Sequence, residues 1–84
     1  MGGVTSWNDQ SMVLYPNPAS DDLHIAGDIS SNAQVSIFNS MGQCVYKGSF
    51  SSTIDVRSFA EGVYYLHMTQ NETHEQIKFT IVRD

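Results

Sequence analysis

Apolar and polar side chains alternate along most of this 84-residue chain, in short runs separated by proline, glycine, asparagine and serine. The run that organises the pattern covers residues 62–69, which are rich in β-branched and aromatic side chains, and it predicts a strand. A repeat of two divides its large side chains between two faces: Tyr64, Leu66 and Met68 on one, Val63, Tyr65 and His67 on the other. Because both faces carry large groups, we expect a central strand that a second sheet covers on one face.

Six further runs predict strands over residues 12–15, 23–26, 34–39, 43–48, 53–56 and 73–82. Seven short strands without an amphipathic helix predict an all-β fold, a seven-stranded antiparallel immunoglobulin-like β-sandwich. The side chains expected in its core are Leu23, Ile25, Val35, Ile37, Tyr64, Leu66, Phe79 and Ile81. For residues 43–48 the pattern leaves open whether Cys44 and Tyr46 or Val45 faces the core.

The turns and the closing strand add five expectations. Pro16, Asn17 and Pro18 end the first strand in a stiff loop, because proline fixes φ and has no N–H to donate. Gly42 is available for positive φ in a turn, and Gly62 is expected in a backbone conformation that other residues reach only with strain. In residues 73–82 we expect Ile77, Phe79 and Ile81 to point inward and to complete the face opposite the central strand. Lys78, Thr80 and Val82 are expected to point outward.

Composition and charge limit the possible functions. The length fits one domain, which we assign to residues 11–84, with residues 1–10 as a start added for expression and a linker. A net charge of −5 disfavours binding to nucleic acid and to anionic lipid. The sequence lacks an apolar run of the roughly 20 residues that a membrane helix needs, so no membrane insertion is expected. Cys44 is the single cysteine, which excludes an internal disulfide.

Four groups of residues could carry chemistry, and each also has an ordinary structural explanation. His24, His67, His74 and Cys44 could suggest a metal or nucleophile site, but their spacing favours solvent-facing strand positions. Asp21, Asp22 and Asp28 could bind calcium, although acids are common in turns and no EF-hand spacing is present. Trp7, Tyr15, Tyr46 and Tyr65 could form a sugar platform or simply pack. Asn71 begins a glycosylation triplet. We expect no catalytic residue, no metal and no cofactor.

Four segments, in this order and spacing, resemble one known family. They are YPNPA at 15–19 with LHI at 23–25, VSIFNSMGQ at 35–43, IDV at 54–56 with FAEGVYYL at 59–66, and IKFTIVR at 77–83. Together they are similar to the type A C-terminal sorting domain of the bacterial type IX secretion system, and they span residues 14–83. The family commonly finishes on or near a basic residue, whereas here Asp84 follows Arg83.

The resemblance implies a non-catalytic address label at the C-terminus of an exported protein. The outer-membrane machinery of Bacteroidota would recognise the folded domain and export the N-terminal passenger. A sortase-like peptidase would then remove the domain, and the passenger would be secreted or held at the outer-membrane surface. The candidate recognition residues are Pro16, Asn17, Pro18, Gly62, Tyr64, Lys78 and Arg83.

Other functions remain open from the sequence. Lys78 and Arg83 form either a basic handle for a receptor or a pair of solvated charges that discourages aggregation of an edge strand. The rival function is an immunoglobulin- or fibronectin-like module that binds carbohydrate or protein. A third is a small hydrolase that uses Cys44 with a histidine.

Overall fold

The chain folds into seven β-strands in the computed structural model, which describes residues 12–83. The strands are β1 (Met12–Tyr15), β2 (Asp22–Gly27), β3 (Gln34–Asn39), β4 (Cys44–Ser49), β5 (Thr53–Asp55), β6 (Gly62–Gln70) and β7 (Thr73–Ile81). All seven predicted strands are therefore present, two with the predicted bounds and five with ends that differ by one residue. The assignment of residues 1–10 and the remarks on Trp7 and Asp84 concern residues outside the described ones.

The strands form two antiparallel sheets, in the orders β1-β2-β5 and β4-β3-β6-β7. The predicted central position of β6 is confirmed, because β3 and β7 pair with its two edges. The prediction that β7 completes the face opposite β6 is wrong. A two-residue turn at Asn71 and Glu72 joins the two strands into a hairpin, in which Gln70 pairs with Thr73. Asn71 adopts the positive φ of 54° that such a turn requires.

The core lies between the two sheets and contains all eight side chains predicted for it. Seven more apolar side chains are also buried: Met12, Leu14, Ala19, Ala33, Ile54, Val56 and Met68. Ile77, which was also expected inside, is only half buried and packs at the margin of this cluster. The difference has a simple cause, because Ile77 lies on an edge strand and has a neighbouring strand on one side only.

A β-bulge in β4 answers the question that the sequence left open. Ile37 pairs with Tyr46 and Phe38 pairs with Cys44, so Val45 is the extra residue opposite that step of β3. Tyr46 shares the inward face of Ile37 and packs against the core. Cys44 and Val45 are both exposed. In a regular strand Cys44 and Tyr46 would lie on the same face. The bulge at Val45 places Tyr46 on the inward face and leaves Cys44 exposed.

Tyr64 forms the corner that is typical of immunoglobulin-like sandwiches. Its hydroxyl donates a hydrogen bond to the Ala60 carbonyl, four residues upstream, at 2.6 Å. Its ring packs against Phe59 and Phe79, with centroid distances of 5.5 and 5.6 Å. This contact fixes the path of the chain from β5 to β6, where it returns from one sheet to the other.

Candidate recognition surface

The loop after β1 reaches across the sandwich and binds the outer edge of β7. Ala19 N–H donates to the Thr80 carbonyl at 2.8 Å, and Val82 N–H donates to the Ala19 carbonyl at 2.9 Å. Asn17 Oδ1 accepts from Thr80 N–H at 3.1 Å. Ala19 forms a parallel bridge with Ile81 and is fully buried. We call these contacts between residues 17–19 and residues 80–82 the clasp.

Three of the predicted recognition residues form the exposed part of the clasp loop. Pro16, Asn17 and Pro18 are all solvent-exposed, and the peptide bonds that precede the two prolines are both cis. The Asn17 side chain joins this exposed loop to the end of β7. A partner that contacts Pro16 or Pro18 would also meet the last residues of β7.

Gly62 has the unusual backbone conformation that the sequence predicted. Its φ is +150°, a region open to glycine and strained for other residues. A Cβ built there meets no atom within 4 Å, so the strain belongs to the backbone and not to crowding. Gly62 pairs with Ile81, which places this conformation beside the clasp. Its role is therefore to direct the chain into β6, opposite the clasped end of β7.

Tyr64 is inside the protein and not on its surface. Only 5% of its surface is exposed, and its hydroxyl already bonds to Ala60. Because a receptor cannot reach a buried side chain, Tyr64 can affect recognition only by maintaining the fold. Its position agrees with the core prediction made for the same residue.

The two basic candidates differ in environment. Lys78 is exposed on the outer face of β7, as predicted, and it pairs with Tyr65. Arg83 is half buried beyond the end of β7, and both of its terminal nitrogens are engaged. Its Nη1 donates to the Phe59 carbonyl and its Nη2 to the Val56 carbonyl, each at 2.6 Å. The expectation that Arg83 is an exposed charge like Lys78 is therefore wrong.

The contacts of Arg83 have a structural origin. Among the described residues, no neighbouring strand has N–H groups that donate to all the carbonyls of the segment between β5 and β6, and a guanidinium can donate to two acceptors at once. Arg83 thereby ties the end of the chain to the corner that Tyr64 fixes from the other side. Sequence alternation cannot reveal this role, because residue 83 lies beyond the strand and its partners are 24 and 27 residues away.

Two of the three histidines come together, which their sequence spacing did not indicate. His67 on β6 and His74 on β7 have ring centroids 5.8 Å apart, and His74 Nδ1 lies 3.2 Å from Thr69 Oγ1. His24 lies on the other sheet, where it stacks on Tyr15 at 5.1 Å. Within residues 12–83, no group of three or more His, Cys, Asp or Glu side chains has metal-binding geometry.

The acidic residues near β2 do not converge as a calcium site would require. Asp22 pairs with Asp55 at one end of β2, whereas Asp28 follows the other end. Asp55 binds Arg57 at 2.9 Å, and this hydrogen-bonded ion pair lowers the pKa of Asp55 from 3.8 to about 2. Because the folded pKa is depressed, the pair's contribution is present above pH 3.8 and is lost as the pH falls towards 2.

The described tyrosines do not form a common platform. Tyr15 lies on the outside of the three-stranded sheet, Tyr46 faces the core, and Tyr65 lies on the outside of the four-stranded sheet. Tyr46 packs against the core and Tyr15 stacks on His24, so the ordinary packing interpretation is supported for these two side chains. In the described part of the chain, no helix is both long and apolar enough to span a bilayer.

Comparison with known proteins gives two matches. The model of a family described as "Secretion system C-terminal sorting domain" matches residues 13–83, which include most of β1 and the other six strands. An endo-acting ulvan lyase from Formosa agariphila is 31% identical over 74 residues. This alignment covers 83% of the present chain and 14% of the lyase.

Proposed function

Since the chain belongs to the family of type IX secretion system C-terminal sorting domains, we propose that it directs an N-terminal passenger across the bacterial outer membrane and is then removed. The observation that carries the proposal is the family match over residues 13–83. Sorting domains of this family are signals and have no catalytic role. The proposal assigns export of the passenger to recognition of the folded domain by the outer-membrane machinery.

The relation to the ulvan lyase supports the passenger arrangement. The chain spans only 14% of the length of that relative, so the relative contains a much larger region outside the aligned segment. The proposed passenger of the present domain would occupy the corresponding position. Its chemistry is not specified by the residues of the sorting domain.

Removal by a sortase-like peptidase and delivery to the outer-membrane surface complete the proposal. Both follow from the family resemblance. The fold is suitable for such a label, because its core and its clasp are formed within residues 12–83 alone. A self-contained sandwich can be attached to many passengers and recognised by its shape.

The experiment is an export assay with a reporter fused to the N-terminus of the chain, in a host that has the type IX machinery. We expect the reporter at the cell surface or in the medium, with a mass that lacks the domain. A matched reporter without the domain should stay inside, and so should the fusion in a strain without the outer-membrane translocon. Export of the unfused reporter to the same extent would refute the proposed function. Export with the domain still attached would refute its removal.

Among the candidate residues, exposure separates direct from indirect roles. Pro16, Asn17, Pro18 and Lys78 are exposed, and we propose these as the positions that a receptor can contact. Gly62, Tyr64 and Arg83 are proposed to act through the fold, which their backbone strain, burial and hydrogen bonds support.

A further inference from the structure

The two sheets have four edges in the described part of the chain, and three of them are poor templates for another strand. β1 has four residues and is followed at once by Pro16, which has no N–H to donate. β5 has only three residues. β4 has six, but the bulge at Val45 interrupts its regular alternation. Short strands, prolines and bulges are the features that protect natural edges from pairing.

The fourth edge is that of β7, which has nine residues and pairs regularly with β6. The clasp covers only its C-terminal half. Thr80 directs its N–H and C=O away from β6, because both groups bond to the clasp. In an antiparallel pair the direction repeats every second residue, so the N–H and C=O of Lys78, Gln76 and His74 also point outward. The clasp stops at Thr80 and covers none of these three residues. We call the outward groups of residues 74, 76 and 78 the open edge.

We propose that the open edge of β7 binds an extended strand of the outer-membrane secretion machinery, which pairs with it by β-augmentation. Such pairing uses main-chain hydrogen bonds for affinity and alternate side-chain positions for specificity. This proposal rests on the proposed function, since it names the contact through which the domain is recognised.

The side chains beside the open edge define the chemistry of the incoming strand. Lys78 is exposed on the outer face and belongs to no ion pair within residues 12–83, in a protein of net charge −5. Ile77, on the inner face, is half buried and lies next to the place where a further strand would run. The partner strand therefore carries an acidic side chain opposite Lys78 and an apolar side chain that covers Ile77, on alternate faces.

A proline substitution tests the backbone contact. Gln76→Pro removes an N–H that points away from β6, so it leaves the ladder between β6 and β7 unchanged. The matched control is Ser49→Pro on β4. Because Phe50 N–H donates to the Ala33 carbonyl, alternation directs the N–H of Ser49 outward as well. Both variants are made in the reporter fusion, and the melting temperature of each domain is measured beside its export.

We expect Gln76→Pro to reduce surface delivery by at least about tenfold, because one lost hydrogen bond at a desolvated interface has an effect of that order. Ser49→Pro should export like the unmodified fusion. Equal export of both variants would overturn the proposal. The unfused reporter is measured in the same experiment. Its export would refute the proposed function, and this result is distinct from equal export of the two proline variants.

A second pair of variants keeps the test valid if a proline destabilises the domain. Lys78→Glu preserves every backbone group and reverses the charge at the open edge. Lys47→Glu makes the same change on the outer face of β4. We expect only Lys78→Glu to reduce export, again by about tenfold, with an unchanged melting temperature. Normal export of Lys78→Glu would contradict the acidic partner.

The measured mass of the purified chain in solution shows whether a second copy of the chain occupies the open edge instead. A stable dimer that Gln76→Pro converts to monomer, together with normal export of this variant, would assign the open edge to a second copy of the chain and overturn the proposal. A monomeric chain, together with the loss of export, supports it.

Discussion

Both halves of β7 pair with β6 in the same regular ladder, but their outer edges have different surroundings. Towards Ile81 the outer edge is covered by the clasp, the inward side chains are buried, and Arg83 closes the corner beyond. Towards Thr73 no described residue bonds to the outer edge, Ile77 is half buried, and the side chains at 74, 76 and 78 are exposed. One strand thus has one half that holds the fold together and one half that is free to meet a partner.

The difference shows that the surroundings of a residue can matter more than its type. Lys78 and Arg83 carry the same charge and lie close in sequence, yet of the two only Arg83 has side-chain hydrogen bonds to other described residues. Changes in the clasped half should therefore alter stability first. Changes in the open half should alter export and have a smaller effect on stability.

The strongest test compares two apolar side chains, one from each half. Phe79 is fully buried, so Phe79→Ala should lower the free energy of unfolding by about 3–5 kcal/mol. Ile77→Ala, at the half-buried position, should lower it by only about 1–2 kcal/mol. Denaturant unfolding of the purified domains measures both values. Equal losses would mean that the open half is as essential to the core as the clasped half.

The two basic residues give the next largest effect. Arg83→Ala should cost about 1.5–3 kcal/mol, because it removes charged donors from two half-buried carbonyls. Arg83→Lys should recover part of the loss, since an ammonium can reach one of the two carbonyls. Lys78→Ala should cost less than about 0.5 kcal/mol, as expected for an exposed charge. The same loss in both alanine variants would show that the contacts of Arg83 add nothing to stability.

The third test concerns the backbone at Gly62, which pairs with Ile81 at the clasped end of β7. Gly62→Val should destabilise the domain by about 1–3 kcal/mol, since valine is strained at φ +150° even though its Cβ has room. Gly48→Ala is the control, because its new Cβ would make an ordinary contact with Tyr46 at 3.5 Å. Thermal unfolding should separate the two variants. An unchanged melting temperature for Gly62→Val would contradict the backbone argument.

The smallest effect is expected from the clasp's single side-chain bond. Asn17→Ala removes the acceptor of the Thr80 N–H and should cost about 0.5–1.5 kcal/mol. Asn17→Asp keeps an acceptor oxygen at the same place and should be close to the unmodified protein. Hydrogen exchange at the Thr80 amide offers a local measurement, with faster exchange in the alanine variant only. Unchanged protection in Asn17→Ala would assign the clasp to the Ala19 backbone alone.

The sequence predicted what depends on alternation. Strand positions, the eight core side chains and the strain at Gly62 all follow from local patterns, and the structure confirms them. A local pattern does not show which distant residues bind the free edge of a strand. The clasp joins Asn17 to Thr80 across 63 positions, so the division of β7 into two halves could not be read from β7 itself.

The candidate recognition residues were harder to predict for the same reason. A basic side chain beyond a strand looks exposed in any alternating pattern, and only the three-dimensional path of residues 56–59 provides the carbonyls that Arg83 binds. The bulge at Val45 likewise shifts the faces of β4 by one residue without any glycine or proline to mark it. Which of the exposed candidates a receptor contacts stays a prediction.

The bulge in β4 also limits how many molecules can join edge to edge. A sheet with two regular free edges can add copies at both sides and grow into an open-ended fibre. In the four-stranded sheet the bulged β4 edge is a poor acceptor, so among the described residues only the β7 edge of this sheet is regular enough to pair with another strand. Pairing of two copies at that edge would therefore stop at a dimer and would not propagate into a fibre.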